Sequence, residues 1–331
     1  AINEKSDTPH VFYITAPGGW GKTRLLDAVL KNGKENVWRE KSRSANILFA
    51  SRLVDLYHTY THSEEGLVAD IVEVLDRQRG EFKSYFQQRA ELDRVKYDLS
   101  LILRDIFQQR ERMIDAFIED FNKIGNKYEK VILAFDTAEN LVYETDRVQA
   151  ALGLAEEPIG VEGWLVRNFI PKIHNTVILL AGRPETPQLQ VELGKLMKNG
   201  KIRFTHIELG TFAEAETLEY FNAVLEIVRE ENPQIANRLK GIPLETRQVL
   251  HYLSEGQPFL LSLFIDYLAV ADELLPEIRT PLNEIKNKVA LENGLQRERD
   301  EFRDAILQEF QKIRRPLDEV IRTLSWTPKG M

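Results

Sequence analysis

Short, uninterrupted apolar runs alternate along this chain with longer segments in which apolar residues recur every three or four positions. The runs are Val11-Phe12-Tyr13-Ile14, Val131-Ile132-Leu133-Ala134-Phe135 and Val177-Ile178-Leu179-Leu180-Ala181, with two further strands read at Ala45 to Ala50 and Phe204 to Leu209, where polar residues intervene. Each predicts a strand, and the continuous run Val131 to Phe135 is of the kind covered on both faces. Between them, Leu25, Leu26, Val29 and Leu30 follow helical spacing and end near Gly33. The stretch 63–124, with Leu67, Ile71, Val74 and Leu75 on one face, predicts an insertion of two or three helices closed by Gly125. Trp164, Leu165, Phe169 and Ile170 mark a further helix. Strand and helix signals in alternation predict an α/β fold, a parallel sheet with covering helices.

Beyond Leu209 the strand signals stop. Thr211-Phe212-Ala213-Glu214 has the pattern of a capping box opening a helix. Leu260, Leu261, Leu263, Phe264, Tyr267 and Leu268 predict a strongly apolar helix, and Phe302, Ile306, Phe310 and Ile313 an amphipathic one. Boundaries near Gly210 and Pro276 divide the chain into three parts. They are 1–209, carrying the helical insertion at about 63–125, then 210–275, then 276–331.

The turn after the first apolar run carries the strongest chemical signal. Ala16-Pro17-Gly18-Gly19-Trp20-Gly21-Lys22-Thr23 is a glycine-rich turn between a strand and a helix, with the pattern A-x-x-x-x-G-K-T of a phosphate-binding loop. Its glycines let backbone N–H groups point at a polyphosphate. Lys22 supplies a mobile positive charge for the β- and γ-phosphates, and the Thr23 hydroxyl is suited to Mg²⁺. The helix that begins there aims its positive end at the anion. Residues Ala16 to Arg24 are therefore the candidate nucleotide-binding segment. Trp20 either packs on the base or a partner or covers the site.

Such a site needs an acidic residue at the carboxyl end of a neighbouring strand. Asp136 ends the Val131 to Phe135 run and is the candidate to hold Mg²⁺ through water; its alternative role is a helix N-cap. Glu139, three residues on, is either a general base that orients water or an ordinary first-turn glutamate. Arg183 ends the next run in Gly182-Arg183-Pro184, where it can touch a γ-phosphate or simply occupy an Arg-Pro turn. Gly256-Gln257-Pro258 reads as a helix start, with Pro258 at the first helical position.

Composition narrows the class. Of 331 residues, 43% are hydrophobic and 29% charged, proportions of a globular protein large enough for two or three cores. No apolar run approaches bilayer-spanning length, and the first residues do not resemble a signal peptide. The absence of cysteine removes disulfides, thiolate zinc sites and thiol nucleophiles, and a cytoplasmic location fits best. A formal charge of −8 argues against a general nucleic-acid surface. The six histidines have no metal-ligand spacing.

The loop Ala16 to Thr23, the strand end Phe135-Asp136-Thr137-Ala138-Glu139, then Leu180-Ala181-Gly182-Arg183-Pro184 and Gly256-Gln257-Pro258, in that order, resemble the STAND class of signal-transduction ATPases. These are relatives of the NACHT and NB-ARC switch proteins within the AAA-like branch of P-loop ATPases, and the resemblance spans about residues 8–275. It implies five parallel strands ordered 5-1-4-3-2, a helical lid domain, and a winged-helix domain begun at Ile313 to Met331. It also implies that Lys22 and Thr23 bind phosphate and metal, that Asp136 is the metal-side acid, that Arg183 is a sensor arginine and that Pro258 packs on adenine. Two positions depart from the pattern. Ala16 replaces the first loop glycine, and Thr137 stands where many relatives carry an acid, which displaces the second carboxylate to Glu139. No arginine finger is evident, which points to slow hydrolysis without a partner.

The resemblance implies a switch with ATP or ADP and Mg²⁺ as cofactors, closed with ADP and self-associating with ATP. The chain opens on Ala1 and closes on Lys329-Gly330-Met331, which carries the expectation of a piece from a longer protein whose sensor and effector domains lie outside it. No membrane partner is expected. The competing readings are an AAA-like motor acting on nucleic acid through a winged helix, and a small-molecule P-loop kinase.

Overall fold

The computed structural model describes residues 7–34, 46–76, 80–97, 103–141, 163–185, 187–271, 275–290 and 296–313. The chain divides into two compact units, 1–209 and 210–331.

Among the described residues the first unit is built on a parallel sheet. Its strands are β1 (His10–Thr15), β2 (Ile47–Phe49), β3 (Val54–Asp55), β4 (Lys130–Asp136), β5 (Thr176–Gly182) and β6 (Arg203–Glu208). They lie in the order β2-β4-β5-β1-β6, with β3 also paired to β4. Every residue of β4 and β5 is buried, as expected of central strands with both faces covered. Counting the five longer strands alone, the order is 5-1-4-3-2. The sixth segment, β3, has no counterpart in the apolar pattern, because two residues are too few to show a period. β2 pairs with the start of β4 and β3 with its end, at Val54↔Phe135 and Asp55↔Asp136, so together they form one interrupted edge.

Around the sheet lie α1 (Lys22–Lys34), α2 (Glu64–Leu75), α3 (Lys83–Tyr97), α4 (Leu103–Lys127) and α5 (Pro187–Lys198). Leu26 and Leu30 fix α1 against the core. Among its described residues the stretch at 63–125 contains three helices, but Gly125 does not close them, since α4 continues to Lys127. A Cβ at Gly125 would lie 2.9 Å from the His174 carbonyl oxygen, so this glycine permits close packing inside a helix. Phe117 and Phe121 on α4 meet Trp164 and Phe169, which belong to a single π-helical turn, Trp164–Phe169, where an ordinary helix was expected. Buried Asp120 of α4 accepts hydrogen bonds from the Ser84 and Tyr85 N–H groups at 2.7 and 3.0 Å. That contact satisfies orphan donors at the start of α3 and ties it to α4.

The second unit is helical throughout its described residues: α6 (Glu214–Glu231), α7 (Pro233–Lys240), α8 (Leu244–Ser254), α9 (Pro258–Val270), α10 (Leu282–Val289) and α11 (Gln296–Ile313). Its own core joins Phe221, Leu250, Leu261, Phe264, Phe302 and Ile306. The capping box expected at Thr211 is displaced. α6 starts at Glu214, with Glu216 accepting from the Ala213 N–H at 2.7 Å. Glu214 is instead engaged by the Tyr252 hydroxyl at 2.8 Å and the Gln248 amide at 2.7 Å, which hold its carboxyl below its ordinary range. Residues 314–331, which carry nearly all of the expected winged-helix start, lie outside the described residues.

Gly256 has a structural role of its own. Its φ is +66° and a Cβ there would come within 2.1 Å of the Phe212 carbonyl oxygen. Gly256→Ala should therefore destabilise the second unit by roughly 2 kcal/mol or more, read as a lowered urea midpoint. An unchanged midpoint would contradict the crowding at Phe212.

Candidate nucleotide-binding site

The site forms where β1, β4 and β5 end together at one edge of the sheet. The loop that leaves β1 is tied to β5 by the Ala16 N–H, which donates to the Gly182 carbonyl at 3.3 Å. Gly19 and Gly21 have φ of +78° and +82°, the left-handed region that a loop doubling back into a helix requires of glycine. Helix α1 opens directly at Lys22. Ala16 is buried, Pro17, Gly18 and Gly19 are exposed, and Trp20 is half-buried, as is Lys22; Thr23 and Arg24 are exposed.

Lys22 folds back over its own loop. Its Nζ donates to the Ala16 carbonyl at 2.6 Å and the Pro17 carbonyl at 3.0 Å. Burial lowers its pKa below 10.5, opposed by Glu139, Asp136 and Glu185 and reinforced by Arg183. The ammonium is thus partly stripped of water and held beside carboxylates, ready to exchange two carbonyl contacts for a stronger anion.

Thr23 and Asp136 meet directly. The Thr23 hydroxyl donates to Asp136 Oδ2 at 2.5 Å, and the Thr137 N–H holds Oδ1 at 2.9 Å. The Asp136 carboxylate, on a residue only 8% exposed, is therefore held at both oxygens. Thr137 has a φ of +60°, unusual for a β-branched residue.

Glu139 and Arg183 also meet. The Arg183 N–H donates to Glu139 Oε2 at 3.2 Å, and its Nε lies 3.2 Å from Oε1. The guanidinium, on a side chain 42% exposed, reaches over the loop to where a Cβ on Gly18 would be 4.0 Å from Nη2. Two residues of separate predicted role are one ion pair. Pro258 is the first residue of α9 in the second unit.

Sequence reasoning missed Asp55, the end of β3. Its register partner is Asp136, and its Oδ1 accepts from the Thr137 hydroxyl at 3.2 Å. The one signal available was an acidic residue bracketed by Val54 and Leu56, both fully buried.

No family model matches the chain, and neither does any curated protein. Among solved structures, the chain is similar to the Walker-type ATPase of Pyrococcus abyssi at 15% identity and a TM-score of 0.42, covering 93% of this chain and 71% of that one. It is also similar to the Aeropyrum pernix ORC2 protein, described in ADPNP–ADP complexes, at 10% identity and a TM-score of 0.37, covering 82% of this chain and 64% of that one. The parallel sheet, its strand order and the glycine turn from β1 into α1 define a P-loop NTPase fold. Among the described residues no helix is long and apolar enough to cross a membrane.

Because Glu139 is the foremost charge supporting the Lys22 ammonium, Glu139→Gln should lower the Lys22 pKa further. NMR titration of ¹³C-labelled lysine would read this as deprotonation at lower pH than in the parent. An unmoved titration would show that Glu139 does not act on Lys22.

Proposed function

We propose that this chain binds ATP and ADP at the loop following β1 and acts as a nucleotide-dependent switch of the STAND type. The observation that carries the reading is the Thr23–Asp136 contact, a hydroxyl and a carboxylate 2.5 Å apart beside a partly desolvated lysine at the start of a helix. Hard oxygen donors of this kind suit Mg²⁺, and Thr23 and Asp136 would hold it with water completing the shell. When bound, the ion would neutralise phosphate charge.

The remaining residues divide the work. Lys22 leaves the Ala16 and Pro17 carbonyls for phosphate oxygens, and the first turn of α1 presents its N–H groups to the same anion. Among the described residues Arg183 pairs with Glu139, and a γ-phosphate would be a competing anionic partner. ADP leaves the Arg183–Glu139 pair in place. ATP competes for the guanidinium and frees the Glu139 carboxylate to accept a proton from water, so the pair distinguishes the nucleotides and gates slow hydrolysis.

One contact does not throw such a switch alone. Moving an equilibrium from 1:99 to 99:1 takes about 5.5 kcal/mol of differential binding, whereas a hydrogen bond to a charged group contributes roughly 1.5–3 kcal/mol. A sensor region acting together with ATP supplies the rest, and self-association in the ATP state is the output. A motor acting on nucleic acid would use the same loop, and it differs in showing steady turnover and salt-dependent nucleic-acid binding.

Equilibrium titration with ATP and ADP tests the reading. Lys22→Ala should abolish or severely weaken binding of both, and unchanged affinities would sink the loop assignment. Arg183→Ala should cut ATP affinity about tenfold relative to ADP, and Glu139→Gln should shift the ratio toward ATP by relieving the competition. If Arg183→Ala weakens both nucleotides equally, the sensor role is wrong.

A further inference from the structure

Asp136 can serve a metal only if its carboxylate is aimed, and what aims it lies outside the residues the loop motif contains. Thr23 fixes one oxygen and the Thr137 N–H the other. The second contact is made by the peptide N–H that joins Asp136 to Thr137, and Thr137 itself lies in the left-handed region at a φ of +60°. A β-branched residue does not hold that conformation unaided, so neighbouring contacts must over-determine it.

Three contacts do so. The Asn140 N–H donates to the Thr137 carbonyl at 3.0 Å, and the Ala138 N–H to the Ala181 carbonyl on β5 at 2.8 Å. Both are backbone bonds that any sequence could make. The third is particular to this chain, the Thr137 hydroxyl donating to Asp55 Oδ1 at 3.2 Å.

Asp55 is itself firmly placed. It is the last residue of β3, in register with Asp136, and the next residue's N–H donates to the Asp136 carbonyl at 3.1 Å. The same Oδ1 accepts from the Tyr57 N–H at 2.9 Å, and Oδ2 faces His58 Nε2 at 3.8 Å. The segment is held from behind by Arg52, which grips the buried Asp70 carboxylate at 2.6 and 3.2 Å. A chain of contacts thus runs from the sheet edge through Asp55 and Thr137 to Asp136 and Thr23.

We infer that Asp55 is a positioning residue for the metal-side carboxylate, acting through the Thr137 hydroxyl, and that the Thr137 position works with a carboxylate borrowed from β3. The inference rests on the nucleotide–Mg²⁺ reading of the loop. It makes Asp55 a determinant of how much Mg²⁺ strengthens nucleotide binding. Asp55 has no part in holding the nucleotide itself. Partners that orient metal ligands typically alter metal affinity by about 10–100-fold.

The test is ADP affinity measured in Mg²⁺ and in EDTA on the 331-residue chain, for the parent and for variants first matched to it by thermal unfolding. Asp55→Ala and Thr137→Val should each reduce the Mg²⁺-dependent gain about tenfold while leaving affinity in EDTA within about twofold of the parent. Asp55→Asn retains an acceptor oxygen and should keep most of the gain. Thr137→Val separates this role from the local turn at Asp55, since it removes the hydroxyl and leaves the Tyr57 contact intact. The inference is overturned if Asp55→Ala keeps the full gain, or if affinity in EDTA falls as much as in Mg²⁺. It is equally overturned if Asp55→Asn fails like Ala while Thr137→Val is normal. A parent chain that binds no nucleotide would instead remove the nucleotide reading, and this inference with it.

Discussion

The short hydrogen bond between Thr23 and Asp136 is the constraint on which the rest of the site depends. It joins the first turn of α1 to the last residue of β4, and so connects a helix start to an acidic strand end. The contact exists only because β1 and β4 terminate at the same edge, with β5 between them carrying the Ala16 tether and Arg183. A parallel sheet brings its strand ends together at one edge, and this one uses three of them for one cluster of charge.

That cluster is arranged around competition. Lys22 rests on its own loop carbonyls, Arg183 on Glu139, and the Asp136 carboxylate on Thr23 and Thr137. Each group is paired within the protein, and under the proposed function each pair is exchanged for phosphate or cation contacts. A site whose resting contacts are internal keeps buried charge compensated without a ligand, which unpaired groups at this depth could not do cheaply.

Much of this was legible in the sequence. The continuous apolar runs at Val131 to Phe135 and Val177 to Ala181 are the two fully buried strands, and the glycine turn, Lys22 and Thr23 stand where local pattern puts them. What local pattern could not supply was partnership. Glu139 and Arg183 are 44 positions apart, and their pairing follows from β4 and β5 being neighbours. Asp55 escaped because a two-residue strand has no period, and its role depends on a register that only the sheet defines. Gly125 misled because a glycine usually signals a helix end, whereas here it yields space to the His174 carbonyl inside α4. Thr211 misled because its expected partner, Glu214, bonds across to α8.

The most direct test of the central claim is to denature the purified protein and identify any released nucleotide by chromatography, with Lys22→Ala alongside. A closed, slowly exchanging site predicts near-stoichiometric ADP from the parent and almost none from the variant. Equal nucleotide from both, or an empty parent that also takes up no ATP from solution, would contradict the assignment of the loop.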